Sequence, residues 1–169
     1  MQNLLFIATA FILASGHKEH RVDLASSTSS RDGVDTSKYV ILPFNNRTNY
    51  VFKEGRPAPL SKDEVDRIEV YVQKTMSECQ RRAGKYRIFP QPVDKYMRQY
   101  IAIFNARGQK IVWVNLFCTD DGFNWHKQVY MVEDGGGCYF NLKINLATRK
   151  VYDLMVNGIA VLIRPNSLV

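Results

Sequence analysis

The chain has 169 residues, enough for one domain, and 46% of them are hydrophobic and 12% aromatic. A chain this rich in apolar residues can bury a core, so its composition excludes wholesale disorder. The formal net charge is +7, but the basic residues are scattered and match no nucleic-acid-binding motif. Nucleic acid is therefore disfavoured as a partner, and we expect a mildly basic, solvated surface.

The beginning of the sequence has the pattern of an export signal. Residues 4–14 form an apolar run that ends in small residues. A run of this length is typical of a signal peptide, because a transmembrane helix needs about 20 apolar residues. We therefore predict a signal peptide over residues 1–16, an exported periplasmic or extracellular product, and no transmembrane anchor. Residues 17–38 are polar and rich in serine, which predicts a flexible spacer before a single domain over residues 39–169.

The first half of this domain is predicted to hold one strand and one long helix. Residues 39–44 form a short apolar strand, and Pro43 places it at a sheet edge. Ser61 and Glu64 have the spacing of a capping box, and apolar residues then recur every three or four positions. This pattern predicts an amphipathic helix over residues 62–83.

The second half changes to the period of two that is typical of strands. The predicted strands are residues 99–105, 110–118, 125–132, 138–146 and 151–157, followed by an apolar run at 159–163. Short turns between them predict an antiparallel meander of four to five strands. The helix covers one face of this sheet, and the alternation predicts that solvent contacts the other face. The predicted fold class is therefore α+β.

The order of strand, helix and antiparallel strands resembles the cystatin-like fold, in which one helix packs on a curved antiparallel sheet. Residues 136–160 are also similar to the C-terminal hairpin of small uncharacterised exported proteins of Bacteroidetes-type bacteria. Each resemblance covers about residues 39–163. They imply a fold and bring no activity with them.

The three cysteines, Cys79, Cys118 and Cys138, all fall on predicted apolar faces. In the predicted meander one strand separates Cys118 from Cys138, so the two thiols lie at opposite ends of the sheet, roughly 20 Å or more apart. This distance exceeds the reach of a disulfide. We therefore expect three buried free thiols, and a different strand order would make Cys118 and Cys138 the first candidate disulfide.

The remaining reactive residues do not form a catalytic or metal-binding pattern. His17 and His20 fall in the spacer without a third ligand, and His126 is predicted to point away from Cys118. Asp120 and Asp121 precede a glycine and predict a turn rather than a calcium loop. We predict no catalytic residue, no cofactor and no metal.

One group of residues on the predicted outer face suggests ligand binding. Aromatic rings from three strands are interleaved there with amides and a cation, a combination that binds sugars or peptides. The candidate binding residues are Trp113, Tyr130, Tyr139, Asn141 and Lys143. The alternative is ordinary cross-strand pairing of these side chains, which needs no ligand.

These observations favour a non-enzymatic exported binding or interaction domain, whose partner is a glycan, a peptide or a protein. The second candidate is a protease inhibitor, which is suggested only by the resemblance in fold. Cystatins insert a Gln-x-Val-x-Gly hairpin into the enzyme. The matching residues here are 109–113, with Ile111 in place of the valine and Trp113 in place of the glycine. An enzyme of unknown type is the third candidate.

Overall fold

The computed structural model describes residues 35–158. The predicted signal peptide, most of the predicted spacer and the apolar run at 159–163 lie outside the described residues. At the end of the spacer, Thr36–Lys38 forms a short 3-10 helix that is capped by the side chain of Asp35.

The single long helix, α1, spans Lys62–Ala83, as the sequence predicts. The hydroxyl of Ser61 accepts a hydrogen bond from the Glu64 amide, and the Glu64 carboxylate accepts one from the Ser61 amide at 2.9 Å. This capping box fixes the start of α1. Gly84, with a φ of 61°, ends the helix in a backbone conformation that favours glycine.

A mixed sheet packs against α1. Its strands are β1 (Tyr39–Ile41), β2 (Arg56–Pro57), β3 (Met97–Phe104), β4 (Lys110–Phe117), β5 (Tyr139–Asn145) and β6 (Lys150–Val156). The order is β1-β3-β4-β5-β6, and β2 pairs with β3 beside β1. The α+β class is therefore confirmed. The sheet is not wholly antiparallel, because the chain crosses over through α1 and places β1 parallel to β3.

Both faces of the sheet are covered, which the alternation did not predict. The helix side holds the apolar residues of α1 together with Val112, Val114 and Leu116 of β4. On the opposite side, Ile101 and Trp113 are buried with Leu42 and other residues from the segment that follows β1. The expectation of a solvent-exposed outer face is therefore wrong, because loops cover much of that face.

The long loop, residues 119–135, replaces the strand predicted at 125–132. Its backbone is held by two buried amide side chains of the sheet, Gln99 and Asn115. Gln99 Nε2 donates to the carbonyls of Trp125 and Gln128, both at 2.6 Å, and Gln99 Oε1 accepts from the Tyr130 amide at 2.9 Å. Asn115 Nδ2 donates to the Tyr130 carbonyl at 2.6 Å. Gln99 and Asn115 therefore satisfy backbone groups of the long loop that would pair with a neighbouring strand if the loop were itself a strand.

Without that strand, β4 and β5 are direct antiparallel neighbours, and Phe117 pairs with Tyr139. The next residues, Cys118 and Cys138, therefore face each other with their Cα atoms 5.1 Å apart, and they form a disulfide. The expectation of free thiols at these two positions is wrong. Cys79 is free and buried, and its burial raises the pKa of the thiol to about 11.

Candidate functional site

The residues predicted to bind a ligand on the outer face make contacts within the protein. The Trp113 side chain is only 3% exposed, and its Nε1 donates to Asn141 Oδ1 at 3.3 Å. Lys143 Nζ lies 3.1 Å from an Asp153 carboxylate oxygen and 5.4 Å from the centre of the Phe52 ring. Trp113, Asn141 and Lys143 are neighbours, and the indole nitrogen, the Asn141 side-chain oxygen and the Lys143 ammonium group already have partners.

Tyr130 and Tyr139 form a second group under the long loop. The Tyr130 hydroxyl donates to Asp121 Oδ2 at 2.9 Å, and burial followed by this hydrogen bond raises the pKa of Tyr130. The Tyr139 hydroxyl lies 3.0 Å from Thr119 Oγ1, and the two tyrosine rings are 6.0 Å apart. The contacts of these outer-face residues are those expected of cross-strand and loop packing, which needs no ligand. Binding of a ligand at this face stays a prediction.

The structure also gives the positions of two other features that the sequence analysis considered, the cystatin-like residues 109–113 and His126. Residues 109–113 do not form an exposed hairpin tip, because Ile111 and Trp113 lie buried within β4. His126 is exposed on the long loop and stacks on the Trp125 ring at 3.7 Å. Cys118 is not a free thiol, so it offers no nucleophile to His126.

Residues 35–158 contain neither a cluster of metal ligands nor a membrane-spanning helix. Within that range no three histidine, cysteine or acidic side chains are grouped so as to hold a metal ion. No helix in the same range is both long and apolar enough to cross a membrane.

An open groove with a volume of about 900 Å³ runs along the second half of α1. We call it the helix groove. One side is α1, and the other is the wall segment, residues 86–94, which follows the turn at Gly84. The buried side chains of Met76 and Phe89 contribute apolar surface to the groove, together with Pro92 and Val93. Polar atoms at its rim come from Gln73, Ser77 and Gln80 of the helix.

The wall segment is attached to the helix at both ends. Gln80 Nε2 donates to the Tyr86 carbonyl at 2.8 Å, and Gln80 Oε1 accepts from the Ile88 amide at 3.0 Å. At the far end, Arg98 Nη2 donates to the Val93 carbonyl at 2.7 Å, while Arg98 Nε donates to Glu69 Oε2 at 2.7 Å. The wall segment therefore runs antiparallel to α1, and its two ends are fixed 11 helix positions apart.

The wall segment is also supported from behind by the turn that precedes β5. The Tyr96 hydroxyl donates to the Gly137 carbonyl at 2.7 Å, and burial raises the pKa of Tyr96 to about 12, so the hydroxyl keeps its proton. Gly137 lies so close to Ile88 that a Cβ atom would overlap the Ile88 carbonyl. Only glycine fits this contact, which places the wall segment one residue from the disulfide at Cys138.

Three polar side chains of the wall segment line the groove, and two of them, Arg87 and Asp94, are charged. The Gln91 amide nitrogen is buried and has no hydrogen-bond partner in the described part of the chain. Arg87 Nε donates to the Phe89 carbonyl at 3.2 Å, and its two terminal nitrogens make no hydrogen bond to any described residue. Asp94 lies on the same segment and is 3.7 Å from Lys95 Nζ.

The sequence did not predict this site. Residues 81–98 are a basic stretch interrupted by Phe89, two prolines and Asp94, a pattern that does not predict a groove. A segment with apolar and proline residues directly after a helix stop is a signal that the chain turns back along the helix. It does not indicate whether an open groove remains between the two.

Comparisons with known proteins give no relative for this chain. No family model matches the sequence. Neither the curated proteins nor the solved structures contain a significant match.

Proposed function

We propose that this chain is an exported, non-enzymatic interaction domain that binds an extended segment of a peptide or protein in the helix groove. The observation that carries this proposal is a partly apolar groove whose two sides are held together by side-chain hydrogen bonds. A site with fixed sides loses little conformational entropy when it binds, which favours recognition.

The dimensions of the groove suit an extended chain. Its helix side reaches from Gln73 to Gln80, which is about 10 Å at a rise of 1.5 Å per residue. About three residues of an extended chain cover this distance. The apolar surface from Met76 and Phe89 would accept a side chain, while the helix rim offers amide and hydroxyl groups to a backbone.

Export is the second part of the proposal, and the disulfide supports it. Disulfides persist in oxidising compartments and are rare in the cytosol. The N-terminal sequence of material recovered outside the cytoplasm tests this part. We expect the mature chain to begin near His17, and a retained Met1 in the exported fraction would contradict it.

Binding is tested by selecting from a phage-displayed library of random heptapeptides on oxidised protein comprising residues 17–169. We expect selected peptides to lose binding when Ser77, which is exposed in the groove, is changed to tryptophan (Ser77→Trp). The matched control is Lys74→Trp, an exposed substitution on the same helix outside the groove. Circular dichroism of both variants checks that the fold is retained.

Other outcomes assign the function elsewhere. Failure to select any peptide that is sensitive to Ser77→Trp would overturn the groove proposal. Binding to a glycan array that depends on Tyr139 or Lys143 would indicate that the binding site lies on the outer face of the sheet. Tight inhibition of a papain-type protease would favour the cystatin-like candidate, which no contact in the described residues supports.

A further inference from the structure

The two ends of the helix groove carry different charged groups. Arg87 lies at the end where Gln80 bonds Ile88, and Asp94 lies at the end where Arg98 joins Val93 to Glu69. Glu69 and Gln80 are 11 positions apart on α1, which is about 16 Å of helix. One end of the groove therefore carries the Arg87 guanidinium group. The other end carries the Asp94 carboxylate beside two lysines, since Lys38 Nζ donates to the Asp94 carbonyl at 3.0 Å and Lys95 Nζ lies 3.7 Å from Asp94 Oδ2.

The groove has hydrogen-bond donors that the described residues do not use. Arg87 engages only its Nε, with the Phe89 carbonyl, and further along the wall segment the buried Gln91 Nε2 has no partner among the described residues. An unpaired buried donor costs free energy, and a ligand that supplies an acceptor removes this cost. A carboxylate is the acceptor that fits best, since its two oxygens can accept from both terminal nitrogens of a guanidinium group and its charge complements that of Arg87.

We propose that the helix groove recognises an acidic peptide segment, in which Asp or Glu stands next to an apolar residue. The carboxylate binds at Arg87, and the apolar side chain packs against Met76 and Phe89. This inference rests on the proposed function and names its ligand class. The net charge of +7 fits the same ligand, because it attracts acidic segments at long range.

A charge reversal tests this assignment. Heptapeptides that bind in a manner sensitive to Ser77→Trp are resynthesised with their acidic position as Glu, Gln or Lys, and binding is measured by fluorescence anisotropy. For the unmodified domain we expect Gln in place of Glu to weaken binding roughly fivefold to tenfold, because a charge-assisted hydrogen bond is lost. In the Arg87→Glu variant we expect the order to reverse, so that the Lys peptide binds best.

The matched control is Lys85→Glu, which makes the same change in net charge at an exposed neighbour that is not part of the groove lining. This variant should keep the preference for Glu. If Arg87→Glu leaves the preference unchanged, or if Lys85→Glu reverses it equally, the inference is overturned. The proposed function would still stand in that case, because binding would remain sensitive to Ser77→Trp.

Discussion

Four polar side chains form hydrogen bonds to the backbone of segments that lack regular structure. They belong to Gln80, Arg98, Gln99 and Asn115. Gln99 is fully buried, and both of its amide atoms are used twice. A buried amide would be costly without partners, but here it replaces ladder hydrogen bonds for the long loop. Gln80 and Arg98 fix the wall segment in the same manner.

The substitution Gln99→Met should therefore destabilise the domain by more than the small change in side-chain shape would cause. It leaves the Trp125 and Gln128 carbonyls and the Tyr130 amide without their buried partner. We expect a loss of about 2–4 kcal/mol in the free energy of unfolding, measured with urea. The control is Gln128→Met, whose side chain is exposed on the same loop. Equal stability of the two variants would show that Gln99 does not anchor the loop.

The helix cap gives a second prediction at the scale of a single residue. Ser61→Ala removes the acceptor for the Glu64 amide, and we expect a loss of about 1 kcal/mol. Ser61→Asp restores an acceptor at the cap and should recover most of this loss. A denaturation midpoint that does not change in Ser61→Ala would contradict the role of the cap.

At the scale of elements, the sequence predicted α1 from end to end, because a capping box, a helical apolar period and a terminal glycine agree there. It also predicted β3, β4, β5 and β6 to within about two residues. The strand at 125–132 failed because alternation shows only that one side of a segment is buried. It does not show that a neighbouring strand is available to pair with it.

That one error changed the expected positions of the cysteines. An extra strand between β4 and β5 would separate Cys118 from Cys138, whereas direct pairing brings them together.

The groove could not be predicted for a related reason. Its wall segment has no regular structure, and its path depends on contacts with distant residues such as Gly137 and Arg98.

The disulfide should contribute substantially to stability, because it closes the base of the long loop. The loop between the two cysteines spans 20 positions, and in the chain-entropy account this closure is worth about 3 kcal/mol. We expect the double variant Cys118→Ser and Cys138→Ser to lose about this amount in urea denaturation. A reducing agent should destabilise the unmodified protein and leave the variant unchanged.

Counting thiols checks the premise of that prediction. Exported protein that is denatured without a reductant should react at Cys79 alone, and prior reduction should expose all three cysteines of the chain. Three reactive thiols before reduction would show that Cys118 and Cys138 are not joined.

At the scale of the whole molecule, two ion pairs connect α1 to the sheet. Glu64 bonds Lys110 Nζ at 2.7 Å, and Glu69 bonds both Arg98 at 2.7 Å and the Tyr100 hydroxyl at 2.6 Å. Arg98 is only 3% exposed, and its remaining donors bond the Tyr96 and Val93 carbonyls. Every charge in this second group is therefore paired or hydrogen-bonded, which is the condition under which a buried ion pair is tolerated.

The pair at Glu64 makes stability depend on pH. Burial alone would raise the pKa of Glu64, but the hydrogen bonds from Lys110 and Ser61 outweigh it and lower the pKa below the ordinary value of 4.5. A carboxyl with a lowered folded-state pKa stabilises the fold above its unfolded-state pKa. This stabilisation is lost as the pH falls through the lower folded-state value. Acidification from pH 7 should therefore leave the contribution intact until about pH 5 and remove it progressively below that.

The variant Glu64→Gln tests this linkage, because glutamine keeps the shape of the side chain but cannot titrate. We expect it to be less stable than the unmodified protein at pH 7, and the difference should shrink as the pH falls below the ordinary carboxyl range. Urea denaturation at a series of pH values between 7 and the acid limit of folding measures this difference. Glu54→Gln, at an exposed position, controls for the loss of one negative charge and should follow the curve of the unmodified protein. A stability gap for Glu64→Gln that stays constant with pH would show that Lys110 holds the glutamate by packing rather than by charge.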